Sequence, residues 1–87
     1  MYKQIPTLIE AKPMKNFGLY LRYNDETEGI VDLSHIKREG LFKIWNSEFE
    51  NFTLQGNRLI WDENLDVDAD SFYLKLIKKD FFEYARN

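Results

Sequence analysis

The most constraining feature of this chain is the alternation of large apolar side chains over residues 17–23. Every second position in this stretch carries Phe, Leu or Tyr, and Gly18, Tyr20 and Arg22 lie between them. Successive side chains of a β-strand point to opposite faces, so this period of two predicts a strand with one buried face. A polar, turn-forming segment at 24–29 and a short apolar run at 30–33 follow. Together they predict a hairpin over residues 17–33.

Other segments predict a second hairpin and several short elements. Residues 5–11 predict a first strand, because Pro6 suits a strand start or an edge. Residues 53–61 predict a hairpin that bends at Gly56-Asn57. Ser34 predicts the N-cap of a short helix over 35–39, and Gly40 its end. Residues 41–45 predict a helical turn, 46–52 a turn or short helix, and 62–70 an acidic loop.

The C-terminal segment predicts an amphipathic helix over about residues 69–85. Leu74, Ile77, Phe81 and Tyr84 recur at spacings of three and four, which is the period of one helix face. Strands, short helices and this last helix predict an α+β fold, with a small antiparallel sheet built from hairpins. The length of 87 residues predicts a single domain over 1–87.

Composition excludes several classes of protein. The chain has no cysteine, which excludes disulfides, thiolate zinc sites and a cysteine nucleophile. The N-terminus lacks the apolar segment of a signal peptide, and no run of about 18 apolar residues occurs. We therefore expect a cytoplasmic protein with no membrane partner. The net charge of −3 argues against non-specific nucleic-acid binding.

No group of residues predicts catalysis or a bound ion. Alternate acidic and amide side chains over 62–70 resemble a calcium loop, but Val67 and Tyr73 replace the required Gly and Glu. His35 is the only histidine, and its neighbour Ser34 is already explained as a helix cap. We expect a protein that is not an enzyme, with no catalytic residue, cofactor or metal.

The aromatic content of 16% is high for so short a chain, and it has two interpretations. The rings fill the core, or some of them form a partner interface, where aromatic residues are enriched. The candidate partner contacts are Trp45, Trp61, Phe72, Phe81 and Phe82. An alternative is a nucleic-acid-binding regulator that uses the basic residues of the last helix. The candidates for that alternative are Lys75, Lys78, Lys79 and Arg86.

An ordered series of short motifs runs from residue 17 to residue 74. It consists of FGLYLRYND at 17–25, GIVDL at 29–33, GLFKIW at 40–45, Phe49 and Phe52, LIW at 59–61, Leu65-Asp66 and Phe72-Tyr73. This series resembles a family of small bacterial proteins known as domain of unknown function 2442, whose core matches residues 17–74 here.

The resemblance implies an α+β domain of undefined activity. It also implies a second small domain as a common genomic neighbour, and hence an antitoxin-like partner role. We therefore expect a protein-interaction module that binds another small protein or a second copy of itself.

Overall fold

A computed structural model describes residues 4–78, which form six strands and two short α-helices. The strands are β1 (Leu8–Pro13), β2 (Gly18–Tyr23), β3 (Glu28–Asp32), β4 (Thr53–Gln55), β5 (Arg58–Asp62) and β6 (Leu65–Asp68). The helices are α1 (Trp45–Glu48) and α2 (Asp70–Ile77), with 3₁₀ helices at Lys15–Phe17 and Gly40–Ile44. No helix within 4–78 is long and apolar enough to cross a bilayer.

The strands form two antiparallel three-stranded sheets. Sheet A has the order β1-β2-β3 and sheet B the order β4-β5-β6, so every pairing joins strands that are adjacent in the chain. Both predicted hairpins are present, and the second bends at Gly56-Asn57 as expected. The α+β fold is therefore confirmed, with two small sheets where the sequence predicted one.

The inner face of sheet A follows the predicted alternation. Leu19, Leu21 and Tyr23 of β2 are buried, and Tyr20 and Arg22 between them are only partly covered. The predicted first strand is displaced along the chain, since β1 begins at Leu8 and ends at Pro13. A register shift between Leu8 and Glu10 interrupts its pairing with β2.

One hydrophobic core joins the two sheets and both helices. Its fully buried large side chains come from β2, from the segment after β3, from α1 and from β5. They are Leu19, Leu21, Tyr23, Leu33, Trp45 and Leu59. Because each sheet covers only one side of this core, neither sheet is enclosed without the other.

Asn57, in the turn between β4 and β5, connects the two sheets and α2. Its Oδ1 accepts a hydrogen bond from the Leu8 backbone N–H at 2.7 Å. Its Nδ2 donates to the Pro6 carbonyl at 2.9 Å and to Asp70 Oδ1 at 2.7 Å. Its own carbonyl accepts from the Ala69 N–H at 2.7 Å. We call this set of hydrogen bonds the Asn57 junction.

The predicted helix over 35–39 is wrong. Asp32 Oδ1 accepts the Ser34 backbone N–H at 2.9 Å, which closes a local turn at the end of β3. Arg38 Nη1 then donates to the carbonyls of Ser34 and Ile36, which leaves a turn in this place. Gly40 has the expected positive φ, but it begins the next 3₁₀ helix rather than ending the previous one.

The predicted acidic loop over 62–70 is also wrong. Leu65 and Val67 face inwards while Asp66 and Asp68 are exposed, so residues 65–68 form strand β6 beside β5. Arg58 forms an ion pair with Asp66 at 3.2 Å across these two strands. The carboxylates therefore lie on the solvent side of a strand that two apolar residues anchor.

Within the described residues, the predicted last helix is represented by α2. α2 ends at Ile77, because Lys78 adopts a left-handed conformation with φ 57° and its N–H bonds back to the carbonyls of Leu74 and Lys75. Residues 79–85 of the predicted helix lie outside the described residues. α2 packs against β3, where a Cβ at Gly29 would lie 2.7 Å from Leu76 Cδ2.

Candidate partner-binding surface

Three of the five predicted partner contacts belong to the core. Trp45 is 1% exposed, Trp61 8% and Phe72 7%. Trp45 lies among the rings of Phe42, Phe49 and Trp61 at centroid distances of 4.9–5.2 Å. Phe81 and Phe82 lie outside the described residues. Within residues 4–78, these three side chains therefore expose little area on the surface of the isolated chain.

Four large apolar side chains are exposed on the described part of the chain, and two of them lie together. They are Ile9, Met14, Ile30 and Leu41. A Cβ placed on Gly18 would lie 3.3 Å from Met14 Cβ and 3.6 Å from Ile30 Cγ2, so these two side chains flank the same glycine. The absence of a side chain at Gly18 is what allows them to approach each other.

The outer face of sheet A extends this apolar surface. Tyr20 of β2 pairs with Ile30 of β3, which places both side chains on the face opposite the core. We call Met14, Gly18, Tyr20 and Ile30 the outer patch. None of these residues was predicted as a partner contact. The predicted hairpin nevertheless indicated the position of Ile30, because Ile30 and the buried Val31 are neighbours in a strand and lie on opposite faces.

Charged side chains of both signs border the outer patch. Glu10 on β1 contacts Lys12 Nζ at 3.0 Å and Arg22 Nε at 3.0 Å. The hydrogen bonds from Lys12 and Arg22 hold the pKa of Glu10 below its usual range. Desolvation, together with the negative charge of Glu28 and Glu10, raises the pKa of the Tyr20 phenol, so Tyr20 stays neutral at physiological pH.

Two tyrosines connect sheet A to α2 behind this face. Tyr23 Oη donates to the Ala69 carbonyl at 2.6 Å, and Tyr73 Oη donates to Asp25 Oδ2 at 2.7 Å. The two rings meet edge to face at 4.9 Å. Burial, reinforced by the charges of Asp70 and Asp68, strongly raises the pKa of Tyr23. These contacts join sheet A to α2 on the side of the sheet opposite the outer patch.

The residues of the nucleic-acid alternative are only partly described. Lys75 and Lys78 are exposed on α2 and at its end, while Lys79 and Arg86 lie outside the described residues. Asp68 and Asp70 lie at the start of the same helix, and Asp68 Oδ1 accepts the Asp70 N–H at 2.9 Å. The carboxylates thus lie at the start of α2, and Lys75 and Lys78 lie in its last turn and at its end.

The remaining candidates from the sequence occupy an exposed turn and two strands. Ser34 and His35 are both exposed in the turn after β3. The acidic side chains of 62–68 belong to β5, β6 and the turn between them. Within residues 4–78, no three His, Asp or Glu side chains are grouped closely enough to hold a metal ion.

The comparisons with known proteins identify a family. The model of the family described as "Protein of unknown function (DUF2442)" matches residues 8–78, which span β1 to the end of α2. Neither the curated proteins nor the solved structures gave a match. Because the family model covers most of the chain, this protein belongs to the DUF2442 family of proteins of unknown function.

Proposed function

We propose that this protein is a protein-interaction module whose partner is another small protein, in an antitoxin-like pairing without catalysis of its own. The observation that supports it is the outer patch. Met14 and Ile30 flank Gly18, Tyr20 lies beside them, and ion-paired charges border the group. An exposed apolar centre with a charged rim is the usual arrangement of a protein-binding surface.

The charges around the patch favour a protein over a nucleic acid. A phosphate backbone is bound by an excess of Lys and Arg. Here Arg22 and Lys12 are already paired with Glu10, and the whole chain has a net charge of −3. Apolar contact at Ile30 supplies the affinity in this proposal, and the acidic balance speeds the approach of a basic partner.

The first experiment compares Ile30→Glu with Leu41→Glu in a pull-down from the native host. Ile30 is 58% exposed and Leu41 60%, so the two substitutions introduce the same charge at equally exposed positions. The tagged full chain and both variants are captured with and without nuclease, and the bound proteins are quantified by mass spectrometry. We expect one stoichiometric partner that survives nuclease, is lost with Ile30→Glu and is retained with Leu41→Glu.

Other outcomes overturn the proposal in distinct ways. Partners that disappear on nuclease treatment favour the nucleic-acid alternative, which then predicts loss of binding with Lys78→Glu and a steep salt dependence. A partner that Ile30→Glu retains places the interface elsewhere. If only the bait is recovered, and gel filtration shows a dimer that Ile30→Glu dissociates, the patch joins two copies of this chain rather than a different protein.

A further inference from the structure

A cleft next to the outer patch has the features of a binding site. It lies between the 3₁₀ helix Lys15–Phe17 and α1 with the residues that follow it, and its volume is about 320 Å³. That volume is at the lower end of the range for ligand sites, which is roughly 300–1,000 Å³. Met14 lines the cleft and also flanks Gly18 in the outer patch, so the two surfaces are continuous.

Aromatic rings line one side of the cleft. Phe49 meets Phe17 at 5.1 Å and Trp45 at 5.1 Å, both edge to face. The Trp45 indole has a further property: its Nε1–H is buried and has no hydrogen-bond partner within residues 4–78. Buried indole N–H groups usually have an acceptor, so the packing behind the cleft leaves one polar group unsatisfied.

The turn that forms the other side is held in an unusual conformation. Asn16 has φ 56° and Phe17 has φ 61°, both in the left-handed region. Asn tolerates this region, but a bulky residue such as Phe does so only when its surroundings enforce it. The Phe49 ring and the Arg38 guanidinium, 4.2 Å from the Phe17 ring centre, hold Phe17 in place. Strained backbone of this kind is concentrated at binding sites.

The polar groups of the cleft match a peptide backbone. Asn16, Asn46 and Asn51 line it together with Ser47, and each amide side chain offers both a donor and an acceptor, as a peptide group does. Lys15 and Glu50 also line the cleft and have opposite charges. A phosphate or carboxylate ligand would call for an excess of cations, which this lining does not have.

We propose that this cleft binds an extended segment of the partner protein, a proposal that rests on the proposed function. One apolar side chain of the segment packs against Phe17 and Phe49, and its main-chain groups bond to the amides and hydroxyl of the rim. The rest of the partner protein covers the outer patch. Met14 contacts both the extended segment and the rest of the partner. The segment thus adds sequence selectivity to an interface that the outer patch anchors.

The test is a selection from a random peptide library displayed on phage, with the immobilised full chain as bait. Two variants then separate cleft binding from other binding. Ser47→Arg places a long charged side chain in the cleft, and Ser71→Arg makes the same change at an exposed position of α2 outside it. Both variants are first checked for folding by circular dichroism and thermal unfolding.

We expect enriched peptides that share an apolar residue and bind the wild type and Ser71→Arg alike. Their affinity for Ser47→Arg should fall at least ~10-fold, which corresponds to about 1.4 kcal/mol. No enrichment, or equal affinity for all three proteins, overturns the proposal. The two proposals fail separately: a host partner that Ser47→Arg retains and Ile30→Glu loses supports the outer patch and overturns only the cleft.

Discussion

The Asn57 junction and the cleft are opposite in how their polar groups are used. At the junction, the Asn57 side chain uses its carbonyl and its amide in three hydrogen bonds of 2.7–2.9 Å. At the cleft, the Trp45 Nε1–H has no acceptor within residues 4–78, and two successive residues have positive φ. Both regions pack against the same hydrophobic core. The difference between them is therefore whether their polar groups have hydrogen-bond partners, and not burial alone.

This difference separates the part of the molecule that secures the fold from the part that we propose binds a partner. Satisfied buried polar groups fix one arrangement of the elements around them. Strain and an unsatisfied buried donor raise the free energy of the folded protein around the cleft. Substitutions at the junction should therefore cost more stability than matched substitutions at the cleft.

The largest effect is expected from Asn57→Ala. The substitution removes three side-chain hydrogen bonds at once, including the one to the carboxylate of Asp70. We expect the free energy of unfolding to fall by about 3 kcal/mol, at about 1 kcal/mol for each bond. Urea denaturation followed by circular dichroism measures it. Asn51→Ala is the control, because it removes one exposed hydrogen bond to Glu48. If Asn51→Ala lowered the free energy of unfolding as much as Asn57→Ala does, the junction would not be the more important of the two regions for stability.

The two tryptophans give the next largest effect, because the same substitution removes different interactions. Trp61 Nε1 donates to the Phe49 carbonyl at 2.9 Å, so Trp61→Phe loses a hydrogen bond and leaves that carbonyl without its donor. Trp45→Phe removes a donor that has no partner within residues 4–78. We expect Trp61→Phe to be more destabilising by about 1–2 kcal/mol in urea denaturation. Equal losses would show that the Trp45 N–H is satisfied.

A smaller effect of opposite sign is expected from Asn16→Gly. Glycine adopts the φ of 56° at this position without strain, so we expect the protein to become more stable by about 0.5 kcal/mol. The same substitution within α1, Asn46→Gly, should destabilise the protein by about 0.3 kcal/mol through its lower helix propensity. Thermal unfolding of both variants measures the two changes in stability relative to the wild type. Destabilisation by both would mean that the turn at Asn16 carries no strain.

The smallest effect concerns Asp25, whose pKa is lowered. Burial raises its pKa, but hydrogen bonds from Tyr73 Oη and the Thr27 N–H outweigh burial. Asp25 therefore contributes to stability at pH values above 3.8, which is its ordinary pKa. This contribution is lost as the pH falls through the lower pKa that Asp25 has in the folded protein. We expect the wild type to have a higher urea midpoint than Tyr73→Phe. This difference in midpoint should be larger at about pH 6 than at about pH 3. A difference that does not change with pH would contradict this.

The sequence predicted those elements whose signal is local. The alternation over 17–23 predicted β2, and Gly56-Asn57 predicted the second hairpin, because both depend only on neighbouring residues. β6 was missed although Leu65 and Val67 alternate with Asp66 and Asp68, since four acidic residues from 62 to 68 favoured a loop. The helix over 35–39 is absent, and the Ser34 carbonyl, which would accept a backbone N–H in a helix, accepts the Arg38 side chain instead.

The candidate site was harder to predict, because an aromatic residue suits a core and an interface equally well. Trp45, Trp61 and Phe72 are buried, and the exposed surface is formed by Ile30 and Met14, which no composition statistic distinguishes. Their proximity depends on the register of β2 and β3 and on the missing side chain at Gly18. Likewise, nothing in the sequence indicates that Phe17 adopts a positive φ, since bulky residues rarely do.

The Asn57 junction also orders the events of folding. All strand pairs join neighbours along the chain, so each sheet can assemble from its own segment of polypeptide. The bonds from Asn57 to Leu8 and Pro6 span 49 and 51 residues, and loops of that length close more slowly than hairpins. During synthesis the first three strands therefore leave the ribosome before Asn57 does, and we expect their pairing to precede the bonds of the Asn57 junction. The N-terminal segment is the first part of the described chain to be made and among the last to be fastened.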